Sequence, residues 1–224
     1  LDLPLPDGST LTLALRRFEV LAPGATVTLS GDRGPVAWQP DLTLFKGPVE
    51  GEPGSLAVIA MTSGQVTGWV EHAAGRLIVA PLDGTGDAHA IADEAGLPAP
   101  PADAFVCPSD ELRSDGFEPP AGLPALPLDV QATTTRLVCD LALDCDYEFF
   151  VKEGSDATRA VNYALVLLGT TSAIYEREIN VSLRASYLNV WTISADPYSA
   201  TTLSPALTEF KTWWVNNRWG VTRD

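Results

Sequence analysis

Histidine is nearly missing from this chain, and its scarcity narrows the chemistry first. The two present, His72 and His89, have no second histidine four residues on, so neither belongs to a helical zinc pair. Cysteine is scarce too. Cys107, Cys139 and Cys145 are the only three, and an odd number leaves at least one outside any intrachain disulfide. No C-x-x-C, G-x-S-x-G or phosphate-cradling glycine loop occurs, which removes thioredoxin-like redox chemistry, nucleophile-elbow hydrolases and P-loop nucleotide binding. Basic residues are few, 14 Lys and Arg against 29 Asp and Glu, for a formal net charge of −15. Such a surface repels phosphates, which argues against nucleic acid and anionic membrane as partners. No apolar run approaches the roughly 20 residues of a membrane span. Leu1 opens no basic-then-apolar signal segment, so a secreted form would have lost its signal already.

What is present divides unevenly. Residues 1–129 hold 18 acids and 6 bases, and residues 130–224 hold 11 and 8, an asymmetry expected of two different domains. The clearest piece lies in the second half. Leu137, Cys139, Leu141, Leu143 and Cys145 alternate with Arg136, Asp140, Asp144 and Asp146 on the opposite face, the period of a half-buried strand. Gly154 then turns the chain, Ser155 is placed to cap a helix, and Asp156 suits its positive end. Val161, Leu165, Leu168, Ser172, Tyr175 and Ile179 continue at helical spacing. Val181 to Ile193 is rich in β-branched and aromatic residues, and its second half should be buried on both faces. Strand, helix and strand in that order predict a parallel pair. Cys139 and Cys145 share a face but stand six residues apart, too far for a disulfide, and read as small buried hydrophobes.

Residues 1–95 look all-β. Short apolar runs at 11–15, 26–29, 42–45, 55–61, 66–70 and 77–80 are separated by turn clusters, the last three forming a meander with Trp69 in its core. Residues 96–132 read as a linker, with eight of the 18 prolines and Cys107 in the stretch Ala104-Phe-Val-Cys-Pro-Ser-Asp-Glu-Leu112. Residues 133–224 begin an α/β domain. After its strand–helix–strand unit, Ser204 and Pro205 should open a second helix, and Gly220 should close it. Two parallel strands are too few to stand alone, so a βαβα piece of a larger fold is expected. The fold class is α+β overall, a β-rich, sandwich-like domain followed by the start of an α/β domain.

Two stretches carry a resemblance. Phe45-Lys-Gly-Pro-Val-Glu-Gly-Glu-Pro-Gly-Ser-Leu56, continuing through Gly64-Gln-Val-Thr-Gly-Trp69 to Ile78-Val-Ala-Pro-Leu82, resembles the propeptide of bacterial reprolysin-like (adamalysin-type) metzincin zinc metalloproteases. Asp146-Tyr-Glu-Phe-Phe150, Ala173-Ile-Tyr-Glu-Arg-Glu-Ile-Asn-Val181 and Tyr187-Leu-Asn-Val-Trp191 resemble the first strand, first long helix and second strand of the protease domain, in order. The resemblance implies a secreted zymogen: a β-rich propeptide domain over 1–95, a linker over 96–132, and the truncated amino-terminal part of the protease domain over 133–224. It implies zinc in the complete parent protein, not in this fragment, because H-E-x-x-H-x-x-G-x-x-H is absent. In the parent, a zinc-activated water would hydrolyse protein or peptide substrates. No catalytic residue is therefore assigned here. The propeptide's partner would be its own protease domain. Cys107 is either an inhibitory zinc ligand of the cysteine-switch kind or an incidental free thiol. Asp140 lies where some relatives carry a calcium ligand, against the plainer reading of a solvated face shared with Asp144 and Asp146. The alternative to a protease precursor is a β-sandwich binding or adhesion module joined to a non-catalytic α/β scaffold.

Overall fold

The fold is known from a computed structural model that describes residues 1–5, 7–62, 64–82, 88–98 and 135–224. Cys107 and most of the proline-rich segment lie outside the described residues. The class is mixed α+β and strand-rich, as expected, with several sheets.

The described residues of 1–97 form ten strands: β1 (Asp2–Pro4), β2 (Thr10–Thr12), β3 (Arg16–Phe18), β4 (Leu21–Gly31), β5 (Gly34–Ala37), β6 (Thr43–Val49), β7 (Glu52–Thr62), β8 (Gln65–His72), β9 (Gly75–Pro81) and β10 (His89–Asp93). The expected meander is β7, β8 and β9, inside a six-stranded antiparallel sheet ordered β3-β6-β7-β8-β9-β10. Gly51, at φ 81, makes the turn between β6 and β7, a backbone conformation that L side chains resist. Within β7 the side chains alternate between two cores. Ala57 and Ile59 join Leu3, Leu13, Val49 and Val70 on one side, whereas Leu56, Val58 and Ala60 face Ala173 and the larger core on the other. A strand buried on both faces reads as a continuous apolar run, which is why Ser55 to Met61 shows no clean alternation.

The second half forms β11 (Leu137–Cys145), α1 (Tyr147–Lys152), α2 (Ala157–Ile179) and β12 (Val181–Trp191). β11 and β12 pair in parallel across the α2 crossover, as the periodicities predict. The short helix α1 was not expected, and it moves the cap. Asp146 caps α1 by accepting from Phe149 N at 2.8 Å. The chain then passes through Gly154 and Ser155, both at positive φ, so Ser155 cannot take the extended conformation of an N-cap. Asp156 caps α2 instead, accepting from Arg159 N at 3.0 Å. Asn180 ends α2 in the left-handed conformation, its N–H donating to Tyr175 O.

The parallel pair does not stand alone. β4 from the first half lies against the other edge of β12, also in parallel, and β5 follows antiparallel, giving a four-stranded sheet ordered β11-β12-β4-β5. The run at 26–29 therefore belongs to this sheet and not to the meander's. One core joins the halves. Val20, Val27, Leu44 and Ala60 pack with Val161, Leu165 and Leu168 of α2 and with Leu188 and Val190 of β12. Leu1–Leu97, Leu137–Asp196 and Gly220–Asp224 accordingly form one compact unit. The β-rich segment and the strand–helix–strand segment thus share a core across the boundaries drawn at 95 and 133.

Helix α3 (Leu203–Asn217) belongs to a second unit. It starts ahead of the expected Ser204 cap. Thr202 is the cap residue, extended and without a side-chain bond, and its carbonyl accepts from Ala206 N. Trp214 is buried and its ring lies tilted against that of Phe210, centroids 5.5 Å apart, while Trp219 is 76% exposed. Trp214 and Trp219 therefore lie in different environments.

Candidate functional site

Buried polar contacts gather on the seam where β4, β6 and β7 meet β12 and α2, inside the first unit. Asn189 is its centre. It stands near the C-terminal end of β12 with no exposed surface. Its Oδ1 accepts from Thr28 Oγ1 at 2.9 Å and Ser30 Oγ at 2.8 Å, and its Nδ2 donates to Asp144 Oδ1 at 2.8 Å. One amide thereby links three adjacent strands, β4, β12 and β11. A buried amide must find such partners, and it finds them only in the register Leu188↔Val27, Asn189↔Thr28.

A second polar link joins β6 to the C-terminal part of α2. Lys46, buried, brings its Nζ to 2.5 Å from Glu176 Oε1, and both side chains are at most 10% exposed. The ammonium also lies 4.2 Å from the centroid of the Phe18 ring, and Ser182 Oγ donates to the same Glu176 oxygen at 2.9 Å. A buried pair of this kind contributes little net stability but penalises any arrangement that separates it. Beside it, Arg177 donates to Glu71 of β8 at 2.8 Å, and toward the N-terminal end of α2 Asn162 Nδ2 donates to the Asp41 carbonyl at 3.0 Å. These partners are more than a hundred residues apart in sequence.

The first resembling stretch acquires a physical account here. Lys46 reaches Glu176, Val49 N donates to Ser55 Oγ at 2.7 Å, and Gly51 makes the turn. At Gly47 a Cβ would land on the Ala14 carbonyl, so only glycine fits.

The residues singled out from sequence fall as follows. Cys107 lies outside the described residues. Asp140 sits on β11, paired with the Arg184 guanidinium through both of its oxygens, at 2.9 and 3.1 Å. Its backbone N–H donates to Asp224 Oδ2 and its carbonyl accepts from Asp224 N. A cation at Asp140 would have to displace a guanidinium. Asp144 and Asp146 each have a partner of their own, since one accepts from Asn189 and the other caps α1. Among the described residues no group of three or more His, Cys, Asp or Glu is placed to hold a metal. His89 Nε2 accepts from Val66 N at 2.8 Å, and that acceptor role bridges two segments of the six-stranded sheet. Trp69 is half-buried beside Leu56, Val58 and Ala173, with the Arg76 guanidinium 6.0 Å from its ring. Cys139 and Cys145 are both free thiols. Burial, then the charges of Asp144 and Asp146, push the Cys145 thiol up to about 12, so it is inert near neutral pH.

Shallow cavities open elsewhere among the described residues. One of about 340 Å³ is lined by Glu52, Ser55, Glu71 and His72, but Glu71 is already paired with Arg76 and Arg177. Another, about 310 Å³, lies along α3 between Pro197, Glu209 and Trp213. There the Glu209 carboxylate accepts from Ser199 N, Ala200 N and Ser199 Oγ. Those hydrogen bonds hold its pKa below 4.5, which suits loop anchoring and not proton transfer. The first cavity holds a serine and a histidine, but the Ser55 hydroxyl donates to the Glu52 carbonyl and accepts from Val49 N, so its proton is directed at the backbone and not at His72.

Sequence reading missed the seam residues Thr28, Ser30, Lys46, Glu176 and Asn189. Asn189 carried a usable signal, because an asparagine inside a run expected to be buried on both faces demands polar partners on the adjoining strands. No helix among the described residues is long and apolar enough to cross a membrane. No protein-family model matches the chain, and no curated protein is detectably similar to it.

Proposed function

We propose that this chain is the propeptide and amino-terminal part of the protease domain of a secreted zinc metalloendopeptidase zymogen of the reprolysin-like metzincin type. The observation that carries the reading is the presence, in one chain and in the right order, of two stretches that resemble the two parts of such a zymogen, at 45–82 and 146–191. The seam supports it in physical terms. A propeptide acts on its own protease domain, and here Phe45–Leu56 is engaged directly with α2 through Lys46 and Glu176. The shared core and shared sheet count against an independent adhesion module, which would close its own core.

Among the described residues none forms a zinc centre. The histidine motif is absent, and His89 uses its Nε2 as an acceptor within the sheet. Hydrolytic chemistry is accordingly assigned to a longer parent polypeptide, and no catalytic step is drawn through residues 1–224. The test is to read the coding frame beyond Asp224 for about 150 residues, the usual size of what completes such a domain. H-E-x-x-H-x-x-G-x-x-H on a helical pattern is the expected result. A stop codon, or a continuation without those histidines, would overturn the proposal. With the motif in hand, Cys107→Ser in the full zymogen should abolish latency if that thiolate is the inhibitory ligand; unchanged latency would make it an incidental thiol.

A further inference from the structure

The edge of β12 that faces β4 is an interaction surface occupied by the chain's own N-terminal segment. We infer that residues 1–97 act as a strand donor to residues 137–196, and that the two segments stay associated as one folded body after the segment joining them has been cut. The inference rests on the zymogen reading for its regulatory meaning, because cutting the joining segment would then leave the protease part still clothed by its propeptide.

Three independent contacts carry it. The first is backbone pairing: Tyr187 to Trp191 pair in parallel with Thr26 to Ser30, residue against residue. Without β4, the β12 amides and carbonyls on that side would lose their partners, and buried backbone groups are nearly always paired. The second is the core. Leu188 and Val190 have no exposed surface, and they pack with Val27, Leu44 and Ala60 from the other segment. Removing residues 1–97 would uncover them and one face of α2. The third is polar: Asn189 to Thr28 and Ser30, and Lys46 to Glu176. Each pair would leave buried groups without partners on both pieces, so separation costs more than apolar burial alone implies. Every one of these contacts joins residues on opposite sides of the segment 98–136, and none runs through it.

Hydrolysis of one peptide bond in that segment adds a water across the C–N bond, leaving a new carboxylate and a new amine. It removes chain connectivity and none of the contacts above. Release of the N-terminal piece then requires the shared sheet to open, or a second cut within residues 1–97. Connectivity supplies only an effective concentration, commonly in the millimolar range for short flexible joins.

The experiment uses the whole chain with a site-specific protease sequence inserted between Pro120 and Ala121. After complete cleavage, verified on a denaturing gel, size-exclusion chromatography should give one peak at the position of the uncut 23.8 kDa chain, containing both pieces in equal amounts. Amide exchange at Tyr187, Leu188, Asn189 and Val190 should stay within about tenfold of the uncut protein, with denaturant alone separating the pieces. Two peaks of smaller species at micromolar concentration would overturn the inference. So would a single peak in which those β12 amides have lost protection, because association would then rest on other contacts. Either failure leaves the zymogen reading standing, and a missing histidine motif beyond Asp224 removes that reading without touching strand donation.

Discussion

Replacing Asn189 by leucine isolates the polar half of the seam, because the side chains are similar in size and only the hydrogen bonds are lost. Asn189→Leu leaves Ser30 Oγ and Thr28 Oγ1 without their acceptor and Asp144 Oδ1 without its donor. A buried hydroxyl stranded in this way costs about 1–3 kcal/mol. Ser30 is 2% exposed and should bear the full cost. Thr28 keeps a weak alternative in the Leu188 carbonyl at 3.5 Å, so its share falls at the low end. Asp144 lies on β11, at the end of the sheet order among the described residues, where water can replace the amide. The expected loss is about 2–4 kcal/mol, a large fraction of the roughly 5–15 kcal/mol of a typical domain. It should be read by urea unfolding, with the midpoint falling at unchanged m. Adding Thr28→Val and Ser30→Ala in the leucine background should return part of the loss, since the stranded groups are then gone. A cost below about 0.5 kcal/mol, or no recovery in the triple variant, would refute the claim that this amide ties β4 to β12.

Lys46→Met should destabilise by about 3–5 kcal/mol because it leaves the Glu176 carboxylate buried without its cation, whereas Lys46→Met with Glu176→Leu should recover most of that loss; a double variant no better than the single would contradict the buried-pair account in denaturant melts. Gly47→Ala puts a methyl on the Ala14 carbonyl and should cost at least the upper end of the roughly 1–3 kcal/mol overpacking range. Gly54→Ala, with nothing within 4 Å of its added Cβ, should stay within about 0.5 kcal/mol, and equal melting shifts for the two would dispose of the steric argument. Cys145 has a folded pKa of about 12 against an ordinary value of 9.0. The folded state therefore holds the proton more tightly than the unfolded state, and this contribution is complete below pH 9 and lost as pH rises toward 12. The slope is at most about 1.4 kcal/mol per pH unit. Cys145→Ala should remove that part of the alkaline loss in urea melts at pH 8 to 11, and an identical profile would show that the thiol does not titrate there.

How much of this was legible in advance divides along the distance between interacting residues. α2 could be read because its apolar positions recur every three or four residues, and the meander because turn residues separate its strands over short spans. Those signals are local. The placement of β4 had no such signal: Thr26 to Ser30 pairs with Tyr187 to Trp191, about 160 positions away, and a parallel pairing leaves no turn between its members to betray it. An apolar run of four or five residues states that it will be buried, not against which sheet. The caps failed for a different reason. Ser155 and Ser204 are both good capping types, but α1 displaced one helix start and an extended Thr202 displaced the other, and local chemistry ranks cap residues without choosing between neighbours. The seam's polar residues occupy a middle ground. Lys46 and Asn189 stand in stretches that are otherwise apolar, and each violates the local pattern in a way that has no local compensation. Where a strand carries a residue its own neighbourhood cannot satisfy, the partner must come from a distant element. In this chain the two violations, on opposite sides of the joining segment, mark the surface on which its halves meet.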